Sequence, residues 1–362
     1  MLRNIVNNFR RLDWVLIAAA FLLFCLGLAA IYSVDLGKEQ GGNFEKQILF
    51  GVIGFLLMFI FASINYSGWR VSGRSLYVGT LTLLFAVLFF GSTIRGTRGW
   101  FNFFGLGIQP AELAKVVLII LLAKFFSNRL QQFRVGKHII FSFILTLIFV
   151  IPVFLQPDLG SAAILLGIWF ILLLITGVPK KYLIVLVLIF VMVACVAWVF
   201  FLADYQKERI GTFLNPTADP LGSGYNVSQS IIGIGSGYFW GRGLGFGSQS
   251  QLKFIPESQT DFIFAVIAEE LGFLGVVMVL GLFAIIFYRL VVIARKAHDD
   301  FGLYLVLGIV AVIFLHMFIN IGMNMGIMPV TGISLPFLSY GGSFLLICLI
   351  MIGVAESVAV RR

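Results

Sequence analysis

The stretch Gln251–Gly272, QLKFIPESQTDFIFAVIAEELG, puts ionisable residues at the mouth of a hydrophobic helix. Asp261 is expected to start that helix. Glu269 and Glu270 then lie about 12 Å further along it, at ~1.5 Å rise per residue. A charge at the centre of a bilayer costs at least ~2.5–3.5 kcal/mol on insertion scales. Acids kept in such a setting need a partner, a cavity or a chemical task.

The rest of the chain shows why the bilayer is the right setting. Of its 362 residues, 60% are apolar and only 11% are charged. Mean hydropathy is +1.05. A soluble domain is nearer ~25% charged, so the composition specifies an integral membrane protein. Cys25, Cys195 and Cys348 all sit in apolar runs, and their odd number gives no disulfide framework. The three histidines are scattered, which argues against a metal centre.

Ten apolar segments can be marked, at 14–33, 48–64, 74–91, 111–126, 139–155, 159–176, 182–202, 261–288, 302–322 and 335–357. Most are long enough to cross a hydrocarbon core of ~30 Å. The fourth is short and reads as partly broken. The first is too long for the apolar core of a signal peptide and reads as a span that stays attached. The expected fold is therefore all-α: a polytopic bundle of ten transmembrane helices forming a single membrane domain over 1–362. Its one long extracytoplasmic loop covers residues 203–259.

Placing the N-terminus inside puts most of the 25 Lys and Arg residues in short cytoplasmic loops. The positive-inside rule then makes both termini cytoplasmic. The net charge of +9 is thus mostly a topology signal, and nucleic acid is not an expected partner. Several cations remain outside, among them Arg98, Lys115, Arg242 and Lys253. The long loop is rich in Gly, Ser, Asn and aromatics, which allows tight turns and close backbone approach to a ligand. No internal repeat suggests an inverted-repeat transporter.

Two further sites carry charge. In RGTRGWFNFFGLGIQPAELAK, residues 95–115, Pro110 suits the first turn of the fourth span. Glu112 and Lys115, three residues apart, share a helix face. They form either a self-satisfying ion pair or an acid and base lining a polar cavity below Arg98 and Trp100. In QPDLGSA, residues 156–162, Asp158 reads as the cap of the sixth span. Asp261 has a comparable structural reading, since Ser258–Asp261 has the S-x-x-D spacing of a capping box.

The chain resembles the SEDS family of peptidoglycan glycosyltransferases, which comprises the RodA, FtsW and SpoVE proteins. The resemblance is carried by GWFNFFGLGIQPAELAK at 99–115, QPDLGSA at 156–162, DYQKERI at 204–210 and NPTADPLGSGYNVSQSIIGIGSG at 215–237. It continues through GSQSQLKFIPESQTDFIFAVIAEELGFLG at 247–275 and NIGMNMGIMPVTGISLPFLSYGGS at 320–343. A short N-terminus and the GSQSQLKF wording resemble RodA more than FtsW. Two positions depart from the family pattern. Gln259 stands where His usually precedes Thr-Asp, and Gly99 separates Arg98 from Trp100.

The resemblance implies polymerisation of lipid II on the outer face of the cytoplasmic membrane, for cell elongation and rod shape. The acceptor 4-hydroxyl attacks the anomeric carbon of the lipid-linked donor, undecaprenyl pyrophosphate leaves, and an α linkage becomes β-1,4. Asp261 is the implied general base. The implied substrate-binding residues are Arg98, Trp100, Glu112, Lys115, Asp158, Arg242, Lys253, Glu257 and Ser339. A divalent cation, Mg or Mn, is compatible with this chemistry, although no ligand cluster declares it. The implied partner is a class B penicillin-binding protein. A lipid II flippase, an ion-coupled transporter, a scaffold for the elongation machinery and a septal, FtsW-type polymerase are the competing readings.

Overall fold

The computed structural model describes residues 10–36, 42–94, 96–103, 106–129, 135–200 and 223–362 except 253, together with the single positions 207, 211 and 213. Lys253 and most of 201–222 therefore lie outside the described residues. The long helices are α1 (Trp14–Leu36), α2 (Asn43–Ser63), α3 (Ser67–Phe90), α4 (Pro110–Arg129), α5 (Val135–Leu155), α6 (Leu159–Ile175) and α7 (Lys180–Phe200). After α8 (Ser223–Ser236) and the single turn α9 (Ser248–Gln251) come α10 (Ile263–Arg295), α11 (Asp300–Asn324) and α12 (Gly342–Val360).

Each marked apolar segment overlaps one long helix. Among the described residues, seven of these helices are long and apolar enough to cross a membrane: α1, α2, α3, α5, α10, α11 and α12. The fourth segment is an unbroken helix from Pro110 to Arg129, longer than expected. The long loop is partly helical, through α8 and α9.

The all-α expectation fails between α3 and α4. Three antiparallel strands lie there: β1 (Ser92–Ile94), β2 (Thr97–Phe103) and β3 (Leu106–Ile108), in the order β1-β2-β3. Gly96, at φ +80, makes the first turn, so that Ile94 pairs with Thr97. Thr, Trp and Phe favour the pleated surface, and a tight hairpin needs a residue with positive φ.

The bundle packs through small residues, as helices in a lipid solvent do. A Cβ at Gly353 on α12 would stand 2.4 Å from the Met58 carbonyl of α2. One at Gly308 on α11 would meet Ile119 of α4 at 2.4 Å. At one end of the bundle, Asp13 accepts Leu16 N–H at the start of α1, both its oxygens accept Arg289 Nε at 2.9 Å, and Oδ2 also accepts Arg289 Nη2 at 2.5 Å, while its own N–H donates to Glu356. At that same end Tyr66 donates to Asp299, and burial together with this carboxylate pushes the phenol up to about 12.

Helix α10 is broken at Gly272 (φ +65, ψ −159). The loop 238–243 repairs the break. Arg242 and Gly243 N–H groups donate to the Glu269 and Glu270 carbonyls, and Phe273 N–H donates to the Tyr238 carbonyl. Backbone groups freed by a kink need such partners when buried. Gly241, at φ +81, lies so close that a Cβ would stand 2.1 Å from the Glu270 carbonyl oxygen. Gly241→Ala is therefore expected to lower the melting temperature in detergent, with left-handed strain of about 1–3 kcal/mol added to the clash. An unchanged melting curve would show that the loop does not clamp the break.

Candidate active site

Helix α10 begins at Ile263, behind an irregular turn over 257–262. Its N-cap is Phe262, with no side-chain cap, so the expected capping box of Ser258 and Asp261 does not form. Asp261 instead sits in the turn ahead of the helix, partly exposed. Its main-chain carbonyl accepts the side-chain amides of Asn320 and Asn324, each at 2.9 Å. These residues are one helical turn apart on α11 and present to the same face. Asn320 also donates to the Ile333 carbonyl at 2.7 Å, and Asn324 accepts Ala265 N–H at 3.2 Å.

A second segment, 331–341, closes over this turn. Ser339 Oγ donates to the Thr260 carbonyl at 2.6 Å and accepts Leu335 N–H at 2.8 Å. Tyr340 N–H donates to the Gln259 carbonyl at 2.7 Å. A Cβ at Gly332 would lie 3.7 Å from Asp261 Oδ2. Glu257 and Phe337 both adopt positive φ, at 51° and 66°. Each such conformation costs about 1–3 kcal/mol and persists only when its surroundings hold it. Here the hydrogen bonds between the two segments do so. Gln259, at the position where the family pattern has His, donates to Asp35 Oδ1 and accepts from Asn43, tying the turn to the α1–α2 junction.

Glu112 and Lys115 meet in α4 at 2.8 Å, with Lys115 1% exposed. Their predicted pairing is therefore present. Lys115 Nζ also lies 3.1 Å from His316 Nε2 of α11, four residues before Asn320. His316 Nδ1 is 3.2 Å from the Ser334 carbonyl, in the same segment that covers Asp261. The Asp261 main chain and Lys115 are thus each bonded to side chains of α11 that also bond the 331–341 segment, through Asn320 to the Ile333 carbonyl and through His316 to the Ser334 carbonyl.

Asp158 caps α6 as expected, with Oδ1 accepting Ser161 N–H at 2.9 Å. Its Oδ2 accepts Gln109 Nε2 at 3.0 Å, which brings the motifs at 99–115 and 156–162 together. Arg98 is exposed on β2, where it donates to the Phe89 and Gly91 carbonyls and so caps the C-terminus of α3. Trp100 is partly buried and packs on Gly107 of β3. Arg242 is exposed and donates to the Ser236 carbonyl and to Ser248 Oγ. Exposed Glu257 carries the turn through its carbonyl, which accepts Thr260 N–H at 3.1 Å. Glu269 and Glu270 serve the scaffold: Glu269 accepts the N–H groups of Gln249 and Ser250, and Glu270 accepts Ser33.

Sequence reasoning assigned no role to His316, Asn320, Asn324 or Gln109. A signal existed for the first three. They stand at i, i+4 and i+8 on an otherwise apolar helix, a polar stripe on one face. Among the described residues no three His, Cys, Asp or Glu side chains come together as a metal-binding group.

The bundle and its polar end define a multi-pass membrane protein with a partly buried acid and a buried cation linked at one mouth. A family described as a cell cycle protein, covering FtsW, RodA and SpoVE, matches residues 13–362, and the chain belongs to that family. It is 35% identical to the probable peptidoglycan glycosyltransferase FtsW of Geobacter sp. (strain M18), over 96% of this chain and 97% of the relative. It is 34% identical to the peptidoglycan glycosyltransferase MrdB of Escherichia coli (strain K12), over 97% of this chain and 95% of the relative. A solved structure of a peptidoglycan synthase complex that coordinates polymerisation and crosslinking contains a chain matching at TM-score 0.80 and 31% identity. That match covers 96% of this chain and 97% of the other.

Proposed function

We infer that the chain is a peptidoglycan glycosyltransferase that polymerises lipid II into β-1,4-linked glycan strands, releasing undecaprenyl pyrophosphate. The observation that carries this reading is that the Asp261 turn and the buried Lys115 are both anchored to α11 and, through it, to the adjacent carbonyls of Ile333 and Ser334. Asp261 takes the proton of the acceptor 4-hydroxyl. A positioned carboxylate contributes about 10²–10⁴-fold in such a role. Lys115 faces the charge that develops on the leaving pyrophosphate, where an ammionum in a water-poor site acts most strongly. Asn320, Asn324 and Ser339 hold the main chain around Asp261, so the carboxylate needs little reorganisation. Arg98, Trp100, Asp158, Arg242, Lys253 and Glu257 stand as further substrate contacts.

The chain works as one membrane domain of ten spans in the cytoplasmic membrane, both termini inside, with the site on the outer face. Its partner is a class B penicillin-binding protein, a reading supported by likeness to a chain of a synthase complex. The GSQSQLKF wording favours an elongation role of the RodA type. A septal role is the second reading, because relatives named FtsW and MrdB stand at 35% and 34% identity.

Purified full-length chain with labelled lipid II is expected to yield polymer. Failure to do so with a folded protein and its partner present would overturn the assignment. For topology, cysteines at Ser223 and Ser248 are expected to react with a membrane-impermeant thiol reagent in intact cells, and cysteines at Ser127 and Ala297 are not. The reverse pattern would place the site in the cytoplasm.

A further inference from the structure

We propose that His316 is the positioning residue for Lys115, holding its ammonium in register with the Asp261 turn. This rests on the reading of Lys115 as the cation that meets the leaving pyrophosphate. An ammonium has three donors and no acceptor. Lys115 spends one donor on Glu112 at 2.8 Å. A second points at His316 Nε2, 3.1 Å away, so this ring nitrogen accepts. The ring proton then sits on Nδ1 and donates to the Ser334 carbonyl at 3.2 Å. Each partner fixes the tautomer the other needs, the logic by which one ring nitrogen sets the role of the other.

The ring is itself held in place. It is 2% exposed and stacks on Phe344 of α12 with centroids 4.6 Å apart. Lys115 Nζ lies 6.0 Å from the centroid of the same phenyl ring. With two N–H groups fixed by Glu112 and His316, the third has a defined direction. A flexible four-carbon stem would otherwise let the charge wander. His316 also links to Ser334, in the segment whose Ile333 carbonyl binds Asn320 and whose Gly332 lies beside Asp261. Movement of that segment at the acid is thereby transmitted to the cation.

The requirement is specific: an acceptor at the Nε2 position, reached from α11. Gln at 316 can place a carbonyl oxygen there, whereas Asn is too short to reach Lys115. Phe keeps the ring volume and the stack but offers neither polar atom. The test compares His316→Gln, His316→Asn, His316→Phe, Lys115→Met and the His316→Phe/Lys115→Met double variant. Each is purified full-length and assayed for lipid II polymerisation and for melting temperature. His316→Asn and His316→Phe are expected to lose tenfold or more in turnover, since misplacement by about 1 Å can cost 10²-fold. His316→Gln is expected to stay within about threefold of the parent. The double variant is expected to be no slower than Lys115→Met, because the histidine acts through the lysine.

Near-parental turnover in both Asn and Phe variants, or Gln as poor as Asn at equal melting temperature, would overturn the proposal. So would a double variant slower than Lys115→Met by the full His316→Phe factor. If the Phe variant does not fold, the Gln and Asn pair still decides. An active Lys115→Met would remove the cation assignment itself. An inactive Lys115→Met with an active His316→Asn would remove only the role of His316.

Discussion

Asp261→Asn is expected to insert, to melt near the parental temperature and to bind its partner, yet to polymerise lipid II at no more than about a hundredth of the parental rate. The structure explains why fold and activity should separate here. The bonds that build the turn use the Asp261 main-chain carbonyl, held by Asn320 and Asn324. They also use the Thr260 carbonyl, held by Ser339, and the Gln259 carbonyl, held by Tyr340. All of these acceptors are main-chain carbonyls, which the Asn variant keeps. The carboxylate does not cap α10 either, since Phe262 occupies that position without a side-chain bond. Asn has the same shape and cannot accept a proton at neutral pH. Polymerisation of labelled lipid II beside a melting curve checks the prediction. Turnover above about a tenth of the parent with Asn in place would exclude Asp261 as a base worth 10²-fold.

The parts of this architecture that could be read from sequence are those set by local pattern. Apolar runs give the long helices because a chain in lipid must satisfy its backbone internally. Pro110 marks the start of α4, and Asp158 announces its cap three residues ahead of Ser161. The Glu112–Lys115 pair follows from a separation of three. Where the outcome depended on distant partners, local pattern misled or fell silent. The acidic Asp261 looked like a cap, but its turn is shaped by α11 and the 331–341 segment. Glu269 and Glu270 looked like buried charges in search of a task, and their partners are loop amides and Ser33 of α1. Gly272 sits inside a continuous apolar run, and only the returning loop at 238–243 makes a break there tolerable. The sheet at 92–108 was hidden because its strands are short and lie between two long apolar helices. His316 pairs with a lysine 201 residues earlier, so no window of sequence could join them.

Glu112 and Lys115 offer the other large effect, and a double-mutant cycle separates its two origins. Both residues are buried, with relative exposures of 7% and 1%. Removing one partner of a buried pair strands a charge at a cost of about 3–5 kcal/mol, whereas replacing both can be nearly neutral. Glu112→Gln and Lys115→Met are each expected to destabilise the protein in detergent. The combination is expected to melt closer to the parent than either single variant. The His316 contact sharpens this expectation. In the Glu112→Gln background the ammonium keeps one acceptor, His316 Nε2, so that variant should suffer less than Lys115→Met, which leaves the Glu112 carboxylate with no cation. Activity should not follow stability. A carboxamide and a thioether carry no charge toward a departing pyrophosphate, so the double variant is expected to fold and to remain below about a hundredth of parental turnover. Stability and polymerisation rate measured on the same four proteins give two coupling energies. Favourable coupling in stability with none in rate places the ammonium in the chemistry. Recovery of both in the double variant would make the pair structural and move the leaving-group cation to Arg98, Arg242 or Lys253. Of these, Arg98 and Arg242 are exposed and bond to nearby carbonyls, Arg98 at Phe89 and Gly91 and Arg242 at Ser236. Lys115 is also bonded, to Glu112 and His316, but it is buried, and a charge away from water acts through a lower effective dielectric, which is the physical reason for preferring it.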